Sequence, residues 1–210
     1  MTGADVTIVD YGVGNLGSLR NALSKVGKTA EVTGDPDAIR EARRIILPGV
    51  GSFDHAVERL RSTGLSEAIE SAARERGIPV AGVCLGMQLI MDGSEEGDLP
   101  GLGLIPGRAV RFPDTIDDSR LLVPHMGWNS ATSAKPSRFA PSLDQGGRFY
   151  FVHSYAVMPE NEDDVLTWSD YGIRYASSVE RDNVLGIQFH PEKSHRYGLT
   201  LLGEFAAAEV

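Results

Sequence analysis

Pro79-Val80-Ala81-Gly82-Val83-Cys84-Leu85-Gly86-Met87-Gln88-Leu89-Ile90-Met91 passes from one apolar segment to another through a glycine-flanked cysteine. The first segment, 79–83, reads as a buried strand, and 87–91 reads as a helix. Between them, Gly82-x-Cys84-x-Gly86 has the form of a nucleophile elbow, with cysteine where many such turns carry serine. The glycines permit a sharp strand-to-helix turn and leave the sulfur unshielded. A helix N-terminus and a nearby imidazole both favour the thiolate, which is the reactive form. A buried cysteine at a strand end is the alternative reading of Cys84 taken alone.

Upstream of the elbow, strand and helix signals alternate. Val6-Thr7-Ile8-Val9 is a β-branched run, and Leu16, Leu19, Leu23 and Val26 recur at helical spacing before Gly27. Strands are predicted at 29–33 and 44–47, and helices at 38–43, 53–60 and 65–76. Such alternation implies a parallel sheet, because parallel neighbours need crossover helices. After about Gly93 the pattern changes to short strand-like stretches at 107–112, 121–123, 149–152, 165–168, 173–178 and 184–189, broken by Gly and Pro. The expected fold is a single α/β domain over 1–210: a central, mostly parallel sheet flanked by helices, with an antiparallel extension in the C-terminal half. The acidic stretches 114–119 and 159–164 read as solvated loops.

Composition narrows the function. The 210 residues carry 20 Lys+Arg against 29 Asp+Glu, a formal net charge of -9, which argues against a nucleic-acid partner. Cys84 is the only cysteine, so no intramolecular disulfide forms and a reducing compartment is favoured. No apolar run reaches the length of a membrane span, and residues 1–5 lack the build of a secretory signal. A cytoplasmic protein with no membrane association is expected.

A cysteine nucleophile needs a base, and the base needs a third group to orient it. His190-Pro191-Glu192 offers both at the end of the predicted strand 184–189. Residues i and i+2 of an extended segment point to one side, so Glu192 can hold one imidazole nitrogen while the other faces Cys84. His55, His125, His153 and His195 lack such a partner in the sequence. An oxyanion needs amide donors. Leu85 would give one, and Pro48-Gly49-Val50-Gly51-Ser52, through Val50 or Gly51, the second. A different signal, Gly12-Val13-Gly14-Asn15-Leu16-Gly17, is a literal G-x-G-x-x-G between strand and helix, with Glu31 or Asp35 near the spacing of a ribose-binding acid. Dinucleotide binding, a ligand-free βα turn and a turn at a protein interface are all open readings of it.

Together these motifs resemble the class I (triad) glutamine amidotransferases, which use Cys, His and Glu in this chain order. Val9-Asp10-Tyr11-Gly12-Val13-Gly14-Asn15-Leu16 and Pro124-His125-Met126-Gly127-Trp128-Asn129 look more narrowly like the glutaminase subunits of imidazole glycerol phosphate synthases, as do the segments at 47–53, 82–88 and 190–194. The resemblance implies hydrolysis of L-glutamine through a cysteine thioester at Cys84, with His190 as acid and base and Glu192 orienting it. Gly51, Gln88, Glu96, Ser154 and Tyr155 would hold the glutamine. The ammonia would pass to a TIM-barrel cyclase subunit in a heterodimer of histidine biosynthesis, and no metal or other cofactor is implied. Tyr11, Asn15, Pro124, His125, Met126, Trp128 and Asn129 would face that cyclase, Met126 and Trp128 having ordinary core as their other reading. A glutaminase serving another synthase, for anthranilate, guanylate or pyridoxal phosphate, shares the same triad.

Overall fold

Helices and strands alternate through the first half of the chain in the computed structural model, which describes residues 3–208; the two positions at each end of the expected 1–210 unit lie outside the described residues. β1 (Val6–Val9), α1 (Leu16–Lys25), β2 (Ala30–Thr33), α2 (Pro36–Arg40), β3 (Ile45–Gly49), α3 (Phe53–Ser62), α4 (Leu65–Arg74), β4 (Val80–Cys84) and α5 (Leu85–Leu89) follow in order. The second half holds β5 (Gly93–Ser94), β6 (Gly107–Arg111), β7 (Thr115–Ile116), β8 (Ser119–Arg120), β9 (His125–Ser133), β10 (Gly147–His153), β11 (Tyr155–Pro159), β12 (Val165–Tyr171), β13 (Ile173–Arg181), β14 (Val184–Ile187) and α6 (His195–Ala207).

One large sheet runs in the order β10-β9-β12-β13-β14-β4-β3-β1-β2. From β14 to β2 neighbouring strands are parallel, and from β14 to β10 they are antiparallel. The parallel strands β1, β3, β4 and β14 are buried at every position, as strands covered on both faces must be. Alternate residues serve opposite layers. Val9, Ile45, Leu47 and Val80 pack with α2 to α5, whereas Val6, Ile8, Ile46 and Ala81 pack with α1 and α6. The mixed α/β architecture expected from the sequence is therefore the one observed.

Several local expectations need correction. Residues 121–123 form no strand, because the Leu121 amide bonds the Asp114 carbonyl and the Leu122 carbonyl accepts from the Tyr171 hydroxyl. The acidic stretch after Phe112 is a β7–β8 hairpin, turned by Asp117 and Asp118 at positive φ. The second acidic stretch ends on Asp164, which is buried and paired with Arg181 at 3.4 Å rather than solvated. β9, β11 and α6 carry no clear sequence signal. Gly198 interrupts the helical pattern of α6, yet a Cβ there would collide with the Pro191 carbonyl, so this glycine lets α6 pack directly beneath His190-Pro191-Glu192.

Candidate active site

Three parallel neighbours, β3, β4 and β14, end at the same edge of the sheet. Gly49 pairs with Cys84 across β3 and β4, and Ile187 pairs with Val83 across β14 and β4. The 48–52 turn, the elbow and the His190 segment thus converge beyond the strand carboxyl ends, where open α/β sheets gather their reactive groups. Cys84 itself stands at φ 56 and ψ -111, a conformation that side chains rarely adopt. Its neighbours make that turn possible. A Cβ on Gly86 would overlap the Leu47 carbonyl, and one on Gly82 would lie 2.5 Å from the Gly86 carbonyl oxygen. Gly86→Ala is therefore expected to destabilise the chain by about 1–3 kcal/mol through overpacking, read as a lower Tm. An unchanged Tm would show that the elbow can relax.

His190 is pinned from both sides. Its amide donates to the Tyr150 carbonyl at 2.9 Å, and the Ser194 hydroxyl donates to its carbonyl at 2.6 Å while accepting from the Tyr150 amide at 3.0 Å. Its Nδ1 lies 3.0 Å from Glu192 Oε1. Burial alone would lower the imidazole pKa, but the neighbouring Cys84 and Glu192 side chains outweigh it and raise the pKa from 6.5 to about 9. The ring is therefore protonated at neutral pH. The Cys84 sulfur also lies 3.8 Å from the Val152 carbonyl and 3.9 Å from Nε2 of Gln188. Gln188 and Ser194, given no role by the sequence, brace the two reactive groups; only their place within four positions of His190 could have flagged them.

A cavity of about 330 Å³ opens over these groups, lined by Val50, Gly51, Cys84, Leu85, Gln88, Glu96, Ser154, Tyr155 and His190, among others. Every residue expected to contact glutamine or form an oxyanion hole is thus at one place. Two of them are already engaged. Gln88 Nε2 donates to Gln188 Oε1 at 3.3 Å, and Glu96 Oε2 accepts from the Phe53 amide at 3.0 Å, tying the cavity wall to the first turn of α3. Burial pushes the Glu96 carboxyl up; the Phe53 amide opposes this, and Asp54 adds to it. Among the described residues, no cluster of three or more His, Cys, Asp and Glu is arranged to hold a metal ion.

The model of the family described as glutamine amidotransferase class-I matches residues 7–206. The chain belongs to the class-I glutamine amidotransferases. Curated relatives include the protein named imidazole glycerol phosphate synthase subunit HisH of Salinibacter ruber, 48% identical over 96% of this chain and 93% of the relative. The protein of the same name from Aromatoleum aromaticum is 45% identical over 96% and 97%. Among solved structures, PurLQS from Thermotoga maritima covers 95% of this chain and 96% of its own with a TM-score of 0.70; at 18% identity it shares the fold.

In this class-I glutamine amidotransferase, side chains of the glycine-rich N-terminal turn bond its own backbone. Asn15 caps α1 by accepting from the Ser18 amide at 3.4 Å, and Asp10 accepts from the Gly12 amide at 3.0 Å. Asp35 is spent capping α2, accepting from the Asp37 amide. Of the residues expected at a partner surface, Met126 and Trp128 are 62% and 40% exposed, Pro124 and Asn15 are exposed, and Asn129 is half-buried. Tyr11 and His125 correct that expectation, since both side chains are buried. Tyr11 turns inward because its hydroxyl donates to the Pro48 carbonyl at 2.7 Å, bracing the 48–52 turn from below. His195, at φ 48, stacks on Trp128 with centroids 5.3 Å apart and so helps to shape this exposed face. No helix among the described residues is long and apolar enough to cross a membrane.

Proposed function

We propose that this chain hydrolyses L-glutamine to glutamate and ammonia, as the glutaminase subunit of imidazole glycerol phosphate synthase in histidine biosynthesis. The observation that carries the reaction is the meeting, in one cavity, of Cys84 on its elbow with His190, whose Nδ1 is held by Glu192. The Cys84 thiolate attacks the side-chain amide carbon of glutamine, forming an S–C bond and a tetrahedral oxyanion. The Leu85 amide and an amide of the Val50-Gly51 turn receive that charge. His190 gives its proton to the nitrogen as the C–N bond breaks and ammonia leaves. It then takes a proton from water, whose oxygen attacks the thioester carbon and expels Cys84 as glutamate forms. Gln88, Glu96 and the Gly51 region hold the glutamine, and the backbone around Ser154 and Tyr155 holds its amino-acid end.

The ammonia acceptor is a TIM-barrel cyclase subunit, bound as a heterodimer. Support for this part comes from the curated relatives, at 45% and 48% identity over nearly the whole chain, and from the exposed apolar side chains of Val50, Leu122, Met126 and Trp128. Complementation of a histidine auxotroph tests it: growth restored together with a cognate cyclase supports the assignment, and no growth, with glutamine hydrolysis intact, points to another synthase.

The pH dependence follows from His190. Hydrolysis needs its proton for the departing nitrogen, so kcat/KM for glutamine is expected to fall as pH rises through about 9. A profile that falls already near pH 6.5, the ordinary imidazole value, would mean that Cys84 and Glu192 do not hold the ring charged.

A further inference from the structure

Two buried histidines outside the triad have no part in the chemistry above. His125 on β9 and His153 on β10 lie directly opposite each other in the antiparallel register. They are enclosed by the rings of Phe112, Phe151, Tyr171 and Tyr175. His125 Nδ1 is 3.0 Å from His153 Nε2, and His153 Nδ1 is 2.7 Å from the Tyr155 carbonyl oxygen. On the other side, Asn129 Nδ2 lies 3.4 Å from His125 Nε2 and donates to the Asp170 carbonyl at 3.0 Å.

The direction of every bond in this chain is fixed by its last member. A carbonyl only accepts, so His153 Nδ1 carries the proton and His153 Nε2 is the acceptor. His125 must then donate from Nδ1, which leaves its Nε2 to accept from the Asn129 amide. The Tyr175 oxygen, 3.2 Å from His125 Nδ1, is a second, longer acceptor for that one proton. Both rings stay neutral, as the scheme requires. Burial lowers the His125 pKa to about 4. Burial also lowers that of His153 to about 3, the Tyr155 hydrogen bond opposing it and the neighbouring imidazoles of His125 and His190 adding to it.

The far end of this chain is the cavity wall. Ser154 and Tyr155 both line it, the Ser154 carbonyl accepts from the Phe112 amide at 3.1 Å, and the Tyr155 carbonyl is held by His153. Both carbonyls of that segment are thus held by partners of their own, which fixes how the Ser154–Tyr155 backbone meets a substrate. The near end is β9, where strand alternation places His125 and Asn129 on the inner face and Met126 and Trp128 on the outer one.

We propose that Asn129, His125 and His153 form a one-way hydrogen-bond relay that fixes the Ser154–Tyr155 wall of the cavity, which makes His125 and His153 positioning residues for glutamine. The role rests on the glutaminase reading of the cavity. Loss of the His125 donor leaves His153 Nε2 buried without a partner and frees the wall, so substrate binding suffers while the chemistry at Cys84 does not.

The test is steady-state glutamine hydrolysis by the full chain with its cyclase subunit, in wild type, His125→Leu and His125→Asn. Asparagine places an amide donor near the position of the lost Nδ1, and leucine places none. The expected result is a KM raised about tenfold in His125→Leu with kcat changed by less than about twofold, and recovery to within about threefold of wild type in His125→Asn. An unchanged KM in His125→Leu, or an equal rise in both variants, overturns the relay. A second measurement needs no variant: long-range proton–nitrogen NMR of the wild-type chain is expected to show His153 protonated on Nδ1 and His125 on Nδ1. Either ring protonated on Nε2 instead overturns the proposal even if His125→Leu does not fold. A wild type that fails to hydrolyse glutamine would remove the substrate role with the glutaminase reading itself, whereas a failed relay leaves wild-type hydrolysis intact.

Discussion

Cys84→Ala is expected to abolish glutamine-dependent turnover while ammonia-dependent turnover by the reconstituted complex survives. The size of the loss follows from its place in the geometry. Cys84 is the only sulfur nucleophile in the chain, and it is the group on which the elbow, His190 and the cavity converge. Removal of the nucleophile of a triad leaves only the catalysis supplied by binding and the oxyanion hole, so a fall of about 10³-fold or more in kcat is expected. The substitution deletes only a sulfur at a side chain that is 7% exposed, and it leaves Gly82 and Gly86 in place, so the fold and any docking face persist. Added ammonia enters after the glutaminase step and is indifferent to Cys84. If the ammonia reaction collapsed as well, the cysteine would be a structural residue of the subunit.

Glu192→Gln is expected to lower kcat/KM for glutamine by about 10²- to 10⁴-fold and to shift the upper limb of the pH profile below about 9. Glu192 gives one oxygen to His190 at 3.0 Å, and the other, Oε2, is buried without a partner among the described residues. The carboxylate therefore acts on the imidazole through a single contact. An amide in its place removes the charge that favours the imidazolium and, with its nitrogen turned toward the ring, donates to Nδ1 and so fixes the wrong tautomer. The same linkage reaches stability. The folded chain binds the His190 proton more tightly than the unfolded chain, with a pKa of about 9 against 6.5. That contribution is fully present below about pH 6.5 and is lost as pH rises through about 9. Tm measured across this window is expected to fall more steeply in wild type than in Glu192→Gln. Parallel curves would show that Glu192 does not govern the His190 proton.

What could be read from the sequence was local in origin. The elbow is five consecutive residues whose glycines have a steric reason to be there, and His190-Pro191-Glu192 places its acid by strand geometry alone. The parallel strands were legible because burial on both faces leaves continuous apolar runs such as 45–47 and 80–84. What escaped depends on partners far along the chain. Nothing near Tyr11 indicates that its hydroxyl bonds Pro48, 37 positions away, so a motif residue beside exposed glycines was assigned outward when it points in. The His125–His153 pair exists only because β9 and β10 align those two positions. β9 itself was hidden because only one of its faces is covered and Gly127 breaks its pattern. Ser194 and Gln188 have no signature beyond lying within four positions of a recognisable histidine.

The most direct measurement of the central claim is intact-mass analysis of the chain after rapid acid quench in the presence of L-glutamine and the cyclase subunit. A covalent adduct equal to glutamine less ammonia is expected, located on Cys84 by peptide mapping and absent from Cys84→Ala. Accumulation should increase in Glu192→Gln if water attack on the thioester slows more than its formation. Steady release of glutamate with no adduct at any quench time, or an adduct on another residue, would contradict the assignment of Cys84 as the nucleophile.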